Sequence, residues 1–256
     1  VTRPEPDAPF TDADLTVDRF TRDWTVVQRK RGHRTSTDDL LTGWYAAEKV
    51  PLARRVLDLG TGIGSVGLLV LWRLPQAHLT AVEAQEVSFR LLQLNVARNG
   101  LAERVRAVHG DLREVRFPGE TFELVTGSPP YFDVKDGVVP ADPQKAHARF
   151  ELRGDVRDYC LAARAALAPG GRFVFCFPTP QRARAERAVQ AAQLALVSSR
   201  DVVPREGTPA LFSLFLCRPA EEPGPAPLLE PPYRVRDATG AQTPEHAAAR
   251  ATFGMG

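Results

Sequence analysis

Four short apolar runs in this chain each lead to residues that can do chemistry. Val56-Leu57-Asp58-Leu59 opens into Gly60-Thr61-Gly62-Ile63-Gly64, and Leu79-Thr80-Ala81-Val82 ends on Glu83. Val105 to His109 leads through Gly110 to Asp111, and Phe122 to Gly127 breaks on Ser128-Pro129-Pro130-Tyr131. Glycines in a turn let backbone approach a ligand closely. A carboxylate beside that turn accepts from hydroxyl or ammonium groups and opposes a phosphate. Gly62, Gly64 and Gly67 also fit a dinucleotide fingerprint, with Glu83 at the distance of a ribose ligand.

Asp58 separates these readings. A nicotinamide dinucleotide sets its diphosphate against the N-terminus of the helix that follows such a loop, where Asp58 would repel it. S-adenosylmethionine carries a sulfonium, an ammonium and a ribose but no phosphate, so acids suit it. The pattern predicts Asp58 below the methionine portion, with Gly60, Thr61, Gly62 and Gly64 close to the cofactor. Glu83 would accept from the ribose hydroxyls and Asp111 from the adenine amino group. Any one of these acids reads equally well as a helix cap or loop charge. Three of them after three successive runs, beside a glycine loop, do not.

Ser128-Pro129-Pro130-Tyr131 reads in isolation as a proline turn with a packing tyrosine. After a fourth strand beside such a loop it reads as a tool for an aromatic amine, whose lone pair is delocalised into its ring. The Ser128 hydroxyl and Pro129 carbonyl can accept from the amine, the prolines hold these acceptors in place, and Tyr131 can stack on the base, worth roughly 1–3 kcal/mol. Methyl transfer is then a matter of in-line positioning, with no metal required.

The elements that must position these residues alternate. Strands are expected over 15–17 and 24–27 as a hairpin, then 55–59, 79–83, 105–109, 122–127 and 172–178, with late apolar runs at 195–203 and 211–217. Helices are expected over 37–48, 65–73, 87–99, 155–168 (closed by Pro169-Gly170-Gly171) and 181–194. Strands alternating with helices predict a doubly wound, mainly parallel α/β sheet covered on both faces, with ligands beyond the carboxyl ends of its strands. The expected organisation is a flexible tail over 1–13, an N-terminal hairpin and helix over 14–50, the main domain over 51–218, and a Pro-rich C-terminal tail over 219–256. Residues 219–232 are expected to lack regular structure.

The 256 residues are 43% hydrophobic and 25% charged, the balance of a soluble globular chain. No apolar run approaches the ~20 residues of a membrane span, and the polar N-terminus does not resemble a secretory signal. The three cysteines are widely spaced, which argues against a disulfide framework or zinc site and suits a reducing cytoplasm. Net charge is only +2, yet Gln28-Arg29-Lys30-Arg31-Gly32-His33-Arg34 concentrates four fixed positive charges. That cluster reads as a solvated edge or as a phosphate-contacting arm. In the second reading Arg29, Lys30, Arg31 and Arg34 touch RNA, helped by Lys145 and Arg149.

With these residues in hand, the chain resembles class I amino-methylating enzymes, whose fourth-strand motif is Asn/Asp/Ser-Pro-Pro-Tyr/Phe/Trp. More narrowly it resembles the bacterial tRNA adenine-N6 methyltransferase family that modifies a valine tRNA beside its anticodon. Arg31-Gly32-His33-Arg34 with Asp38-Asp39-Leu40-Leu41, Ala148-Arg149-Phe150-Glu151, and Pro231 to Asp237 with Gly240 and Thr243-Pro244-Glu245 carry the likeness, which spans roughly residues 14–245. It implies a seven-stranded sheet in the order 3-2-1-4-5-7-6 with its last strand antiparallel, a cofactor contact from Asp38, and tRNA as partner. Ser128 stands where the family more often has asparagine, and Phe150 where it has histidine, which leaves the base open. Competing expectations are another nucleic-acid base, a protein glutamine or a small molecule as acceptor. More remote are a nicotinamide oxidoreductase and a non-catalytic nucleic-acid-binding module.

Overall fold

The computed structural model describes residues 10–135 and 137–255. After a single 3-10 turn at Asp12–Asp14, β1 (Leu15–Arg19) and β2 (Thr25–Arg29) form an antiparallel hairpin. Helix α1 (Thr37–Lys49) follows, opened by a reciprocal capping box between Ser36 and Asp39. The central elements are β3 (Arg55–Leu59), α2 (Ser65–Arg73), β4 (His78–Glu83), α3 (Glu86–Arg98), β5 (Val105–His109), β6 (Phe122–Gly127), α4 (Pro143–Arg149), α5 (Val156–Ala166), β7 (Leu167–Pro178), α6 (Arg182–Ala191), β8 (Leu194–Val203) and β9 (Phe212–Pro219). The chain closes with β10 (Leu228–Arg234) and α7 (Pro244–Ala251).

The main sheet runs β10-β8-β9-β7-β6-β3-β4-β5, with β9 antiparallel to both neighbours and the other pairings parallel. Counted within this sheet the order is 3-2-1-4-5-7-6 with an eighth strand added outside the sixth. Both faces are covered, so strands are apolar at successive positions. Val56, Leu124, Val174 and Leu214 point into a core shared with α1, α2 and α3. Leu57, Val125, Phe173 and Phe215 point into the opposite core with α5 and α6.

Two sequence expectations are corrected. The sheet has eight strands rather than seven, because residues 228–234 of the supposed Pro-rich tail pair with β8. Pro231 and Pro232 lack a donor, and an edge strand tolerates them where its register shifts, here between Glu230 and Tyr233. The strand is riveted to α1: Tyr45 Oη lies 2.6 Å from Glu230 Oε1 and Lys49 Nζ lies 2.8 Å from it. Tyr233 is fully buried against Trp44. The second correction concerns α5, which stops at Ala166; Pro169-Gly170-Gly171 lie inside β7, whose pairing with β6 is irregular at that point. Helix α4 was not foreseen from the sequence.

Candidate active site

The carboxyl ends of β3, β4 and β6 open on a cleft of about 820 Å³ that the glycine loop, Glu83, Asp111, Ser128 to Tyr131, the N-terminus of α1 and α4 all line. Its size falls in the range of small-molecule sites, roughly 300–1,000 Å³. The glycines are required by geometry: Gly60, Gly62 and Gly64 have φ of 59°, 61° and 94°. A Cβ on Gly60 would sit 2.0 Å from the hydroxyl of Tyr159, whereas one on Gly62 would meet nothing within 4 Å. The loop is therefore closed behind Gly60 and open at Gly62.

Asp58 is buried with its carboxylate fully engaged. It accepts from Thr61 Oγ1 at 2.5 Å, Thr126 Oγ1 at 2.7 Å and the Gly67 N–H at 3.0 Å. It ties β3 to its own loop, to β6 and to the first turn of α2. Glu83 accepts from the Gly62 N–H at 2.8 Å and the Gln85 N–H at 2.7 Å. Burial raises both carboxyls above their ordinary range, and these hydrogen bonds pull them back. Asp111 differs: both of its oxygens bond the guanidinium of Arg113, at 2.9 and 2.6 Å, and that partner holds its carboxyl below the ordinary value. The adenine contact expected of Asp111 thus competes with an ion pair.

The Ser-Pro-Pro-Tyr loop is tied down at both backbone and side chain. The N–H groups of Tyr131 and Phe132 both donate to the Arg149 carbonyl, at 3.1 and 3.0 Å, and Gln181 Nε2 donates to the Tyr131 carbonyl at 2.8 Å. The Tyr131 hydroxyl donates to Asp38 Oδ2 at 2.8 Å and lies 3.3 Å from Cys176 Sγ. Ser128 Oγ lies 3.3 Å from the same sulfur. Burial pushes the Tyr131 phenol up, and the Cys176 thiol up to about 12, so both keep their protons near neutrality. The ring of Tyr131 meets Phe177 edge-on at 6.0 Å. The neighbouring aromatic that reaches solvent is Phe132, 38% exposed, with the Arg149 guanidinium 5.9 Å over its ring.

The basic cluster divides. Arg29 pairs with Asp142 at 2.9 Å and donates to Gln144 Oε1, so it clasps α4. Arg34 pairs with Asp18 at 2.9 Å inside the hairpin. Lys30 donates to the Ala13 carbonyl at 2.7 Å but remains exposed. Arg31 is exposed and makes no ion pair among the described residues. Two of the four expected phosphate ligands thus already carry an ion pair within the chain, and Arg34, Lys145 and Arg149 line the cleft.

Sequence reasoning missed several supports. Tyr159 of α5 packs behind Gly60 and Gly127. Asn95 of α3 accepts from the Val27 N–H at 2.6 Å and donates to the Ile63 carbonyl at 2.9 Å, joining the hairpin to the glycine loop. Gln144, 1% exposed, reaches Ser88 Oγ of α3. Asn95, beside Leu91 and Leu92 on the buried face of α3, was the available signal.

A family model described as the methyltransferase small domain matches residues 39–185. A relative from Porphyromonas gingivalis named tRNA1(Val) (adenine(37)-N6)-methyltransferase is 27% identical over 223 residues, covering 83% of this chain and 85% of its own. A protein of the same name from Aeromonas hydrophila is 33% identical over 147 residues, 57% of this chain and 60% of its own. Among solved structures, a protein of Agrobacterium tumefaciens described as a predicted O-methyltransferase superposes with a TM-score of 0.66 at 19% identity, covering 84% of this chain and 96% of that one. That likeness speaks to the fold. No helix among the described residues is long and apolar enough to cross a membrane.

Proposed function

The chain belongs to the methyltransferase small domain family, and on that premise we propose that it methylates the exocyclic N6 amine of an adenine in tRNA, using S-adenosylmethionine. The observation that carries this reading is the meeting of the Ser128–Tyr131 loop and the glycine loop in one cleft, at the carboxyl ends of the adjacent strands β6 and β3. The relatives named for tRNA adenine-N6 methylation support the choice of acceptor.

The donor set suits a cationic, phosphate-free cofactor. Acids line the cleft, Gly62 opens on it, and the N-terminus of α2 is already served by Asp58 through the Gly67 N–H. Glu83 would hold the ribose hydroxyls and Asp111, with Arg153 nearby, the adenine end. Asp58 would act by fixing the loop. Bound there, the cofactor supplies an electrophilic methyl group on a sulfonium.

The residues of the chain then have four tasks. Ser128 and the Pro129 carbonyl orient the acceptor amine, the two prolines hold those acceptors still, and Tyr131 bounds the base pocket. Arg31, Lys30, Lys145 and Arg149 meet phosphates at the rim. Positioning of this kind is the main lever for a displacement that forms no covalent enzyme intermediate.

The test is incubation of transcribed tRNA with enzyme and methyl-labelled S-adenosylmethionine, followed by nucleoside mass spectrometry. Label in N6-methyladenosine is the expected result. Label in a cytosine amine would reassign the base. No label in RNA, with label in a protein glutamine or small molecule, would overturn the tRNA reading.

A further inference from the structure

Asp38 lines the cleft at the start of α1, and both of its oxygens are engaged. Its Oδ2 accepts from the Tyr131 hydroxyl at 2.8 Å across 93 residues of chain, and its Oδ1 accepts from Ser36 Oγ. It is the second residue of the thirteen-residue helix α1, where the helix dipole favours a carboxylate. At its backbone end Tyr131 is held by the Arg149 carbonyl and by Gln181. A phenol fixed at both Cα and hydroxyl has lost the freedom to swing about χ1. What remains is rotation about its own long axis, and Phe177, packed edge-on, limits that.

We propose that Asp38 is a positioning residue for methyl transfer, acting through the Tyr131 hydroxyl to fix the ring that bounds the acceptor base. The inference rests on the methyltransferase reading of the cleft. Cys176 is the other group at the hydroxyl, at 3.3 Å, and a neutral thiol is a weak acceptor. Asp38 is therefore the strong anchor, charge-assisted, and its loss leaves the hydroxyl with one weak contact, to Cys176. The same sulfur touches Ser128 Oγ, so a loosened Tyr131 also disturbs the hydroxyl that faces the amine. Helix α1 and the acceptor loop are thereby coupled through one hydrogen bond.

Four variants and two kinds of readout test this. Asp38→Ala and Tyr131→Phe each lower kcat on tRNA, by about tenfold if ångström-scale misplacement is the cause, with S-adenosylhomocysteine affinity within twofold of wild type. Asp38→Asn keeps an acceptor oxygen and restores most of the rate. The Asp38→Ala/Tyr131→Phe double variant is no slower than either single, because both remove one interaction. Losses that multiply, or a tenfold weaker affinity for S-adenosylhomocysteine with kcat intact, would overturn the proposal; the second would make Asp38 a cofactor ligand. The other readout needs no turnover: fluorine NMR of protein carrying 3-fluorotyrosine at its four tyrosines, with the Tyr131 line assigned by Tyr131→Phe. Asp38→Ala should shift that line and leave those of Tyr45 and Tyr233 in place. An unmoved line refutes the tether. A shifted line in an enzyme that methylates no tRNA would instead locate the failure in the functional reading.

Discussion

The two halves of the cleft are built in different ways. In the cofactor half, Asp58 bonds Thr61 and Gly67, and Glu83 bonds Gly62 and Gln85. These partners lie in the turns that follow β3 and β4 and in the first turn of α2, where glycine conformation and buried carboxylates specify one another. In the acceptor half, Tyr131 is held by Asp38 from α1, Cys176 from β7, Arg149 from the end of α4 and Gln181 from the turn before α6. The first half is a local motif completed by one strand crossing; the second is a junction of distant elements. Damage to them should therefore show in different measurements.

The largest expected effect lies in the first half. In Gly60→Val the left-handed backbone alone costs about 1–3 kcal/mol, and the new Cβ falls 2.0 Å from the Tyr159 hydroxyl. S-adenosylhomocysteine binding should vanish in calorimetry and the thermal midpoint should drop. Retained affinity would break the claim that this loop is sterically specified. Glu83→Ala comes next. It removes the acceptor of two buried N–H groups, and the loss of charged hydrogen bonds of about 1.5–3 kcal/mol should weaken cofactor affinity by roughly ten- to a hundredfold. Binding unchanged from wild type would remove Glu83 from the site.

The same contrast explains what the sequence disclosed. The run from Val56 to Gly64 carries its own logic, since a strand, a left-handed turn and a carboxylate are read from neighbours. The strands over 55–59, 105–109 and 122–127 are found with those boundaries, because apolar runs of that length ending on glycine or a polar residue have few alternatives. No local pattern announces that Tyr131 will meet Asp38, or that Arg29 and Arg34 will be claimed by Asp142 and Asp18. Strand β10 was hidden by Pro231-Pro232, which argue against a strand unless the chain lies at an edge. The hydrogen bonds and burial that seat it come from Tyr45, Lys49 and Trp44 on α1, nearly two hundred residues earlier.

The rim sharpens the comparison further. Arg31→Ala should flatten the log–log salt dependence of tRNA binding by about 0.7, one single-strand phosphate contact. Arg29→Ala should leave that slope unchanged and instead lower thermal stability, since its guanidinium clasps Asp142 and Gln144. Equal slopes in wild type and Arg31→Ala, measured by filter binding, would return Arg31 to a solvated edge.

The smallest effect is a pH dependence at the start of α1. Burial, with the charge of Asp38 beside it, raises the Asp39 carboxyl from its ordinary 3.8 to about 8. In that window the folded chain holds a proton that the unfolded chain releases, so the contribution is full below the unfolded value and is lost as pH rises toward 8. Asp39→Asn keeps the acceptor for the Ser36 N–H and cannot titrate. Its unfolding midpoint should fall less than that of wild type between pH 5 and pH 8, a window of about three units within which the linkage acts. Parallel curves in thermal melts would contradict the assignment.

The division itself is tested most directly by titrating S-adenosylhomocysteine into Tyr131→Ala in the calorimeter, beside its turnover on tRNA. Affinity within about twofold of wild type, with turnover reduced by two orders of magnitude or more, is the result expected if the ring serves only the acceptor half. Affinity and turnover falling together by the same factor would mean that the two halves are one structure, and that the Ser-Pro-Pro-Tyr loop supports the cofactor rather than the base.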